Sequence, residues 1–115
     1  MESKKYLILP IKKKWFDMIS EGIKKEEYRE IKPYWTNRII KALDLNFEKD
    51  SPLFKNFIEI CPQNITIILK NGYHTNAPKI KCKCSVYIGK GRPEWGAQEN
   101  KKYYVFYIVG IENLQ

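Results

Sequence analysis

Long apolar runs are missing from this chain of 115 residues. None nears the ~20 residues that cross a bilayer as a helix. The N-terminal "MESKKYLILP" has only about four apolar residues in a row, too few for the apolar region of a signal peptide. The expectation is a cytoplasmic protein without a membrane partner. Cysteine is scarce and odd in number: Cys61, Cys82 and Cys84. An odd count in a small chain argues against a disulfide framework. Histidine occurs once, as His74, so a metal site built on the Cys82–Cys84 pair would need Cys61 and a carboxylate. Reduced, buried core thiols are the simpler reading, with no metal and no cofactor. Repeats, low-complexity stretches and linkers are absent as well. Length then implies one domain over residues 1–115, large enough to bury a modest core unaided.

Positive charge is what the chain has in excess. Its net charge is +8, from 21 basic and 13 acidic residues. The excess is local. Residues 70–102 carry eight cations against Glu94 and Glu99, whereas residues 33–69 balance to zero. The basic half is interleaved with Tyr73, Tyr87, Trp95, Tyr103 and Tyr104. Cations for phosphate and flat rings for bases suit a nucleic-acid partner. Lysine that merely keeps a small domain soluble is the plainer alternative.

Patterning gives the elements. "KYLILPI" reads as a first strand. "KKKWFDMISEG" places Trp15, Met18 and Ile19 at helical spacing, with Gly22 where a helix C-terminal glycine belongs. "EEYRE" reads as a short strand. "KPYWTNRIIKAL" has Pro33 at the first helical position and Trp35, Ile39 and Leu43 on one stripe. "DSPLFKNFIEI" offers Ser51 as a cap and Pro52 after it, which predicts a short helix or helical turn. Strands follow. "NITIILK" precedes an Asn-Gly turn signal, and "KIKCKCSVYI" alternates Ile80, Cys82, Cys84, Val86 and Ile88 with a ladder of Lys79, Lys81 and Lys83. "GKGRPEWGAQEN" is a long loop, and "KKYYVFYIVGIE" is a strand apolar on both faces, so a central one. Segregated helices and strands predict an α+β fold on a small, partly open barrel.

One stretch carries the chemistry, "EGIKKEEYREI". Glu27 and Arg29 are two apart on a strand, so they share a face about 7 Å apart, while Glu26, Tyr28 and Glu30 take the other. The spacing gathers Lys24, Glu27 and Arg29 at one edge. A carboxylate between two cations is either a satisfied ion network or an acid–base group beside anion-binding cations.

Here the chain resembles a family. "LPIKKKWFDMISEGIKKEEYREIKPYWTNRI" looks like the N-terminal half of an ASCH domain, a PUA-like module. The family signature Gly-x-Lys-x-x-Glu-x-Arg is carried by Gly22, Lys24, Glu27 and Arg29. "NGYHTNAPKIKCKCSVYIGKGRPEWGAQENKKYYVFYI" resembles the second half of small bacterial and phage members, including its Pro-Glu-Trp-Gly loop. The resemblance implies a PUA-like β-barrel with flanking helices. It also implies a cleft lined by the signature residues that holds RNA or a nucleotide-like ligand. Some relatives are amidohydrolases of acylated cytidine, with a Thr where Glu27 stands. Others are described as ribonucleases.

The first reading is therefore an RNA- or nucleotide-binding module. Lys24, Glu27 and Arg29 line its cleft, Lys79, Lys81 and Lys83 form a basic ladder, and Arg92, Trp35 and Trp95 contribute contacts. Trp35 either packs in the core or rims the cleft. Trp95 either anchors its loop, the favoured reading, or stacks on a ligand; Trp15 is expected in the core. The alternative is a metal-independent hydrolase of the same family with Glu27 as general base and Lys24 beside it. A weaker third reading is an adaptor whose basic face docks an acidic protein.

Overall fold

The computed structural model describes residues 6–114. Lys5, the first residue of the expected first strand, lies outside them. Five strands and three α-helices follow in the order β1 (Leu7–Ile11), α1 (Lys13–Ser20), β2 (Glu26–Arg29), α2 (Pro33–Leu43), α3 (Pro52–Ile60), β3 (Gln63–Asn71), β4 (Lys79–Lys90) and β5 (Lys102–Leu114). The strands form one sheet in the order β1-β3-β4-β5-β2. Only β1 and β3 are parallel.

The sheet curls into a half-barrel. Its two edge strands, β1 and β2, stand at opposite ends of the strand order, yet Arg29 Nη2 on β2 donates to the Pro10 carbonyl on β1 at 2.9 Å. Proline suits that edge, since it has no N–H to give a ladder. The concave side holds the core. Cys82, Cys84 and Val86 from β4 and Tyr104 and Phe106 from β5 meet Ile19 of α1, Ile39 of α2 and Phe54 and Ile58 of α3. The alternation expected for β4 is present throughout, with Ile80 to Ile88 buried at every second position. A shift in the β4–β5 register between Lys83 and Cys84 makes Val109 an extra residue, and it is exposed.

The helices start and stop for local reasons. Gly22, at φ +79°, closes α1 with its N–H donating to the Ile19 carbonyl at 3.0 Å and the Ile23 N–H to Met18 at 2.8 Å. This is the paired-bond C-terminal motif that glycine makes cheap. Pro33 and Pro52 begin α2 and α3, and the Ser51 hydroxyl accepts from the Phe54 N–H at 3.2 Å.

The loop after β4 explains why β5 is apolar on both faces. Ala97 packs with Tyr103 and Val105 on the convex side, against Tyr28 and Tyr87. Tyr28 pins this loop by accepting the Arg92 backbone N–H at 2.8 Å. Cys82 and Cys84 are buried as expected, and burial pushes the Cys82 thiol up to about 12. Cys61 departs from the expectation of a core thiol. It sits just past the end of α3 and is exposed.

The close approach of Tyr28 and Ala97 leaves no room beside Gly91. A Cβ there would lie 2.6 Å from the Tyr28 ring and 2.7 Å from Ala97, whereas one on Gly110 would meet nothing within 4 Å. Urea unfolding is expected to show Gly91→Ala destabilised by about 1–3 kcal/mol, the usual cost of overpacking, and Gly110→Ala nearly unchanged.

Candidate functional site

The turn after α1 delivers Lys24 into the protein. Its backbone N–H follows Ile23 onto the Met18 carbonyl at 3.1 Å, and its side chain has 0% exposure. The Nζ donates to Glu27 Oε1 at 3.0 Å and to the Glu26 backbone carbonyl. The faces of Tyr28 and Trp15 complete its surroundings, with ring centres 5.0 and 5.5 Å away. Burial lowers the Lys24 pKa from its ordinary 10.5, and the Glu27 carboxylate only partly opposes that.

β2 then sorts its side chains by parity. Glu27 and Arg29 point inward. Glu27 Oε2 accepts from Arg29 Nη2 at 2.5 Å, so each oxygen of Glu27 is engaged by a different cation. The same Nη2 reaches the Pro10 carbonyl, and the guanidinium lies 5.1 Å from the centre of the Trp35 ring. Arg29 Nε is buried without a protein partner. Glu26 and Glu30 stand apart. Glu26 accepts from the Tyr28 hydroxyl at 2.6 Å, and Glu30 pairs with Lys101 at 2.6 Å and Lys32 at 3.1 Å.

A cavity of about 460 Å³ opens between the two sheet edges. Glu27 and Arg29 form its floor. Pro10 and Ile11 come from β1, Lys12, Lys13 and Trp15 from the start of α1, and Asn71, Gly72 and Tyr73 from the turn after β3. Lys24 does not line it. Among the described residues Glu27 is its only acidic lining residue, matched by Arg29 in the cavity and Lys24 behind. Lys13 is partnered by Asp17 at 2.6 Å, and Lys12 adds a further positive charge at the rim. The cavity is therefore net positive. Its remaining features are flat rings: Trp15 in the wall and Tyr73, 86% exposed, at the mouth.

The other residues singled out from the sequence lie elsewhere. Lys81 and Lys83 line a separate cavity of about 520 Å³ with Tyr6, Asn64, Thr66 and Val109. Lys79 donates to the Thr75 carbonyl at 3.1 Å. The Arg92 guanidinium lies 5.0 Å from the half-buried Trp95 ring and 3.5 Å from Glu94. Gly96, beside Trp95, comes so close to Trp15 that a Cβ there would be 3.2 Å from its ring. Trp35 supports Arg29 from beneath and packs against the core.

Sequence reasoning placed Trp15 in the core, against which it packs, counted Tyr73 only among the rings of the basic half, and gave the Pro10 carbonyl no role. Trp15 directly follows the lysines that leave β1, and Tyr73 follows the Asn-Gly turn. Those neighbourhoods were the only signals, because the curl that brings both to Arg29 has no local pattern. Among the described residues, no group of three His, Cys, Asp or Glu could hold a metal ion. No helix among them is long and apolar enough to cross a membrane. No family model, curated protein or solved structure matches the chain.

Chemically, the site presents a fixed guanidinium, surplus positive charge and ring faces. It offers no unengaged carboxylate. The lowered Lys24 pKa has a consequence for stability. Between its folded value and 10.5 the unfolded chain binds this proton more tightly than the folded one, so stability from this group rises with pH in that window. Urea unfolding just below and at pH 10.5 is expected to show the parent gaining stability relative to Lys24→Met. A difference that stays constant or shrinks would mean the amine is not desolvated.

Proposed function

We propose that this chain is an ASCH-like, PUA-like cytoplasmic module that binds single-stranded RNA or a nucleotide in the cleft between β1 and β2. One observation carries the reading: Arg29 is fixed by Glu27, the Pro10 carbonyl and Trp35 in the floor of a net-positive, ring-lined cavity. Its volume falls within the roughly 300–1,000 Å³ of small-molecule pockets. Phosphate or a base edge would meet Arg29, Lys12 would add long-range attraction, and Trp15 or Tyr73 would stack on a base. Free thiols on a chain of this composition fit a reducing compartment.

A hydrolase on the same ligand class is the second reading. The buried Lys24, with its lowered pKa beside Glu27, favours it, because such pairs serve as acid–base groups. Two facts weigh against it. Both Glu27 oxygens are held by cations, and Lys24 is shut off from the cavity.

Both readings are tested together by incubating the protein with short RNAs and acylated nucleosides, measuring binding by anisotropy and products by mass spectrometry. Binding is expected, weakening steeply with salt, and Arg29→Gln is expected to cost about tenfold to a hundredfold in affinity, the worth of a hydrogen bond to a charged group. No binding at low salt would overturn the proposal. Products that vanish in Glu27→Gln would put the hydrolase reading first.

A further inference from the structure

A second set of cations and rings continues from the cleft along α2 and the free edge of β1. Trp35, beneath Arg29, meets Tyr34 edge-on at 4.8 Å, and Arg38 lies over the Tyr34 ring at 4.4 Å. Tyr34 is 57% exposed. Arg38 and Lys41 then line a cavity at the start of β1 together with Tyr6. Tyr6 also belongs to the neighbouring cavity that Lys81 and Lys83 line, and Lys81 Nζ is 5.2 Å from its ring centre. Rings thus stand between cations along the line from Arg29 to Lys83.

Positive charge dominates this line. Among the described residues, neither of its two cavities has an acidic lining residue. Among the described residues, none of Arg38, Lys41, Lys81 and Lys83 forms an ion pair, while Lys13, Lys32, Lys55, Lys101 and Lys102 all do. Glu112 stands opposite Lys81 on β5, in the adjoining cavity.

We infer that this line is a track for single-stranded nucleic acid, leading from the Arg29 cleft past Tyr34 and Arg38 to Tyr6, Lys81 and Lys83. The inference rests on the reading of the cleft as a nucleotide site and extends it from one nucleotide to a strand. β1 separates the ends of the track. Its five residues cover roughly 13 Å at ~3.3 Å each, the length of about four stacked nucleotides at ~3.4 Å each. A single nucleotide does not reach both ends. Exposed rings between cations are the sequence-tolerant way of holding a strand, bases on rings and phosphates on side-chain charge.

The test is anisotropy of the full chain with uridine monophosphate as competitor and oligouridylates of two and twelve nucleotides as probes. The twelve-mer is expected to bind at least tenfold more tightly than the two-mer. Arg38→Gln, Lys81→Gln and Lys83→Gln combined should erase that gain and leave uridine monophosphate affinity unchanged. They should also flatten the salt slope by about 0.7 for each phosphate no longer neutralised. Lys25→Gln, Lys90→Gln and Lys102→Gln combined remove the same charge elsewhere and should keep the gain. A twelve-mer no tighter than the two-mer would overturn the track and leave the cleft standing. Equal losses in the two triple variants would overturn it too, as general electrostatics, and so would equal binding of a polyglutamate probe. A strand that binds while uridine monophosphate does not, indifferent to Arg29→Gln, would remove the cleft instead. Silence from every probe would remove both.

Discussion

The fold and the site both depend on one carboxylate. Glu27 is buried at the end of a half-barrel with Lys24 on one oxygen and Arg29 on the other. Burying such charges costs several kcal/mol per ion, and only close geometry with further hydrogen bonds offsets it. Each partner has that help. Lys24 also bonds a backbone carbonyl and lies against two aromatic faces. Arg29 also bonds the Pro10 carbonyl on the far sheet edge. The network therefore joins the turn after α1, strand β2 and strand β1, three segments whose backbone pairing alone leaves the barrel open.

This division of labour decides what the site can do. Lys24 is held inside the protein, so of the two cations on Glu27 it is Arg29 that faces the cavity, with Glu27 as its brace. A braced guanidinium on an aromatic platform is preorganised to meet an anion, since little side-chain freedom remains to be lost on binding. The same bracing engages both oxygens of Glu27. The basic surface is organised separately, with Lys81 and Lys83 lining a different cavity from the one that Arg29 faces.

Much of this was legible from local pattern. Two-residue parity on β2 put Glu27 and Arg29 on one face and Glu26 on the other, which is how the hydrogen bonds divide. Gly22, Pro33, Ser51 and Pro52 marked helix ends because each solves a backbone problem at its own position. What stayed hidden needs the tertiary fold. Parity assigns the lysines of β4 to one face, but not whether that face borders the cleft. The parallel pairing of β1 with β3, the reach of Arg29 to Pro10, and the buried Thr36–Tyr104 hydrogen bond of 2.5 Å all join residues far apart in the chain. Trp15 was read as core because it lies on the apolar stripe of α1, and the stripe does not show that its far edge borders the opening.

The central claim is that Glu27 and Arg29 act as one unit holding the sheet edges together. A double-mutant cycle measures that directly: urea unfolding of the parent, Glu27→Gln, Arg29→Gln and the double variant at one pH. Residues bonded in one buried network are expected to show a coupling of about 0.5–3 kcal/mol, the double variant losing less than the two single losses combined. Losses that simply add would contradict the account, and Glu27 and Arg29 would then be two charged side chains that happen to be neighbours.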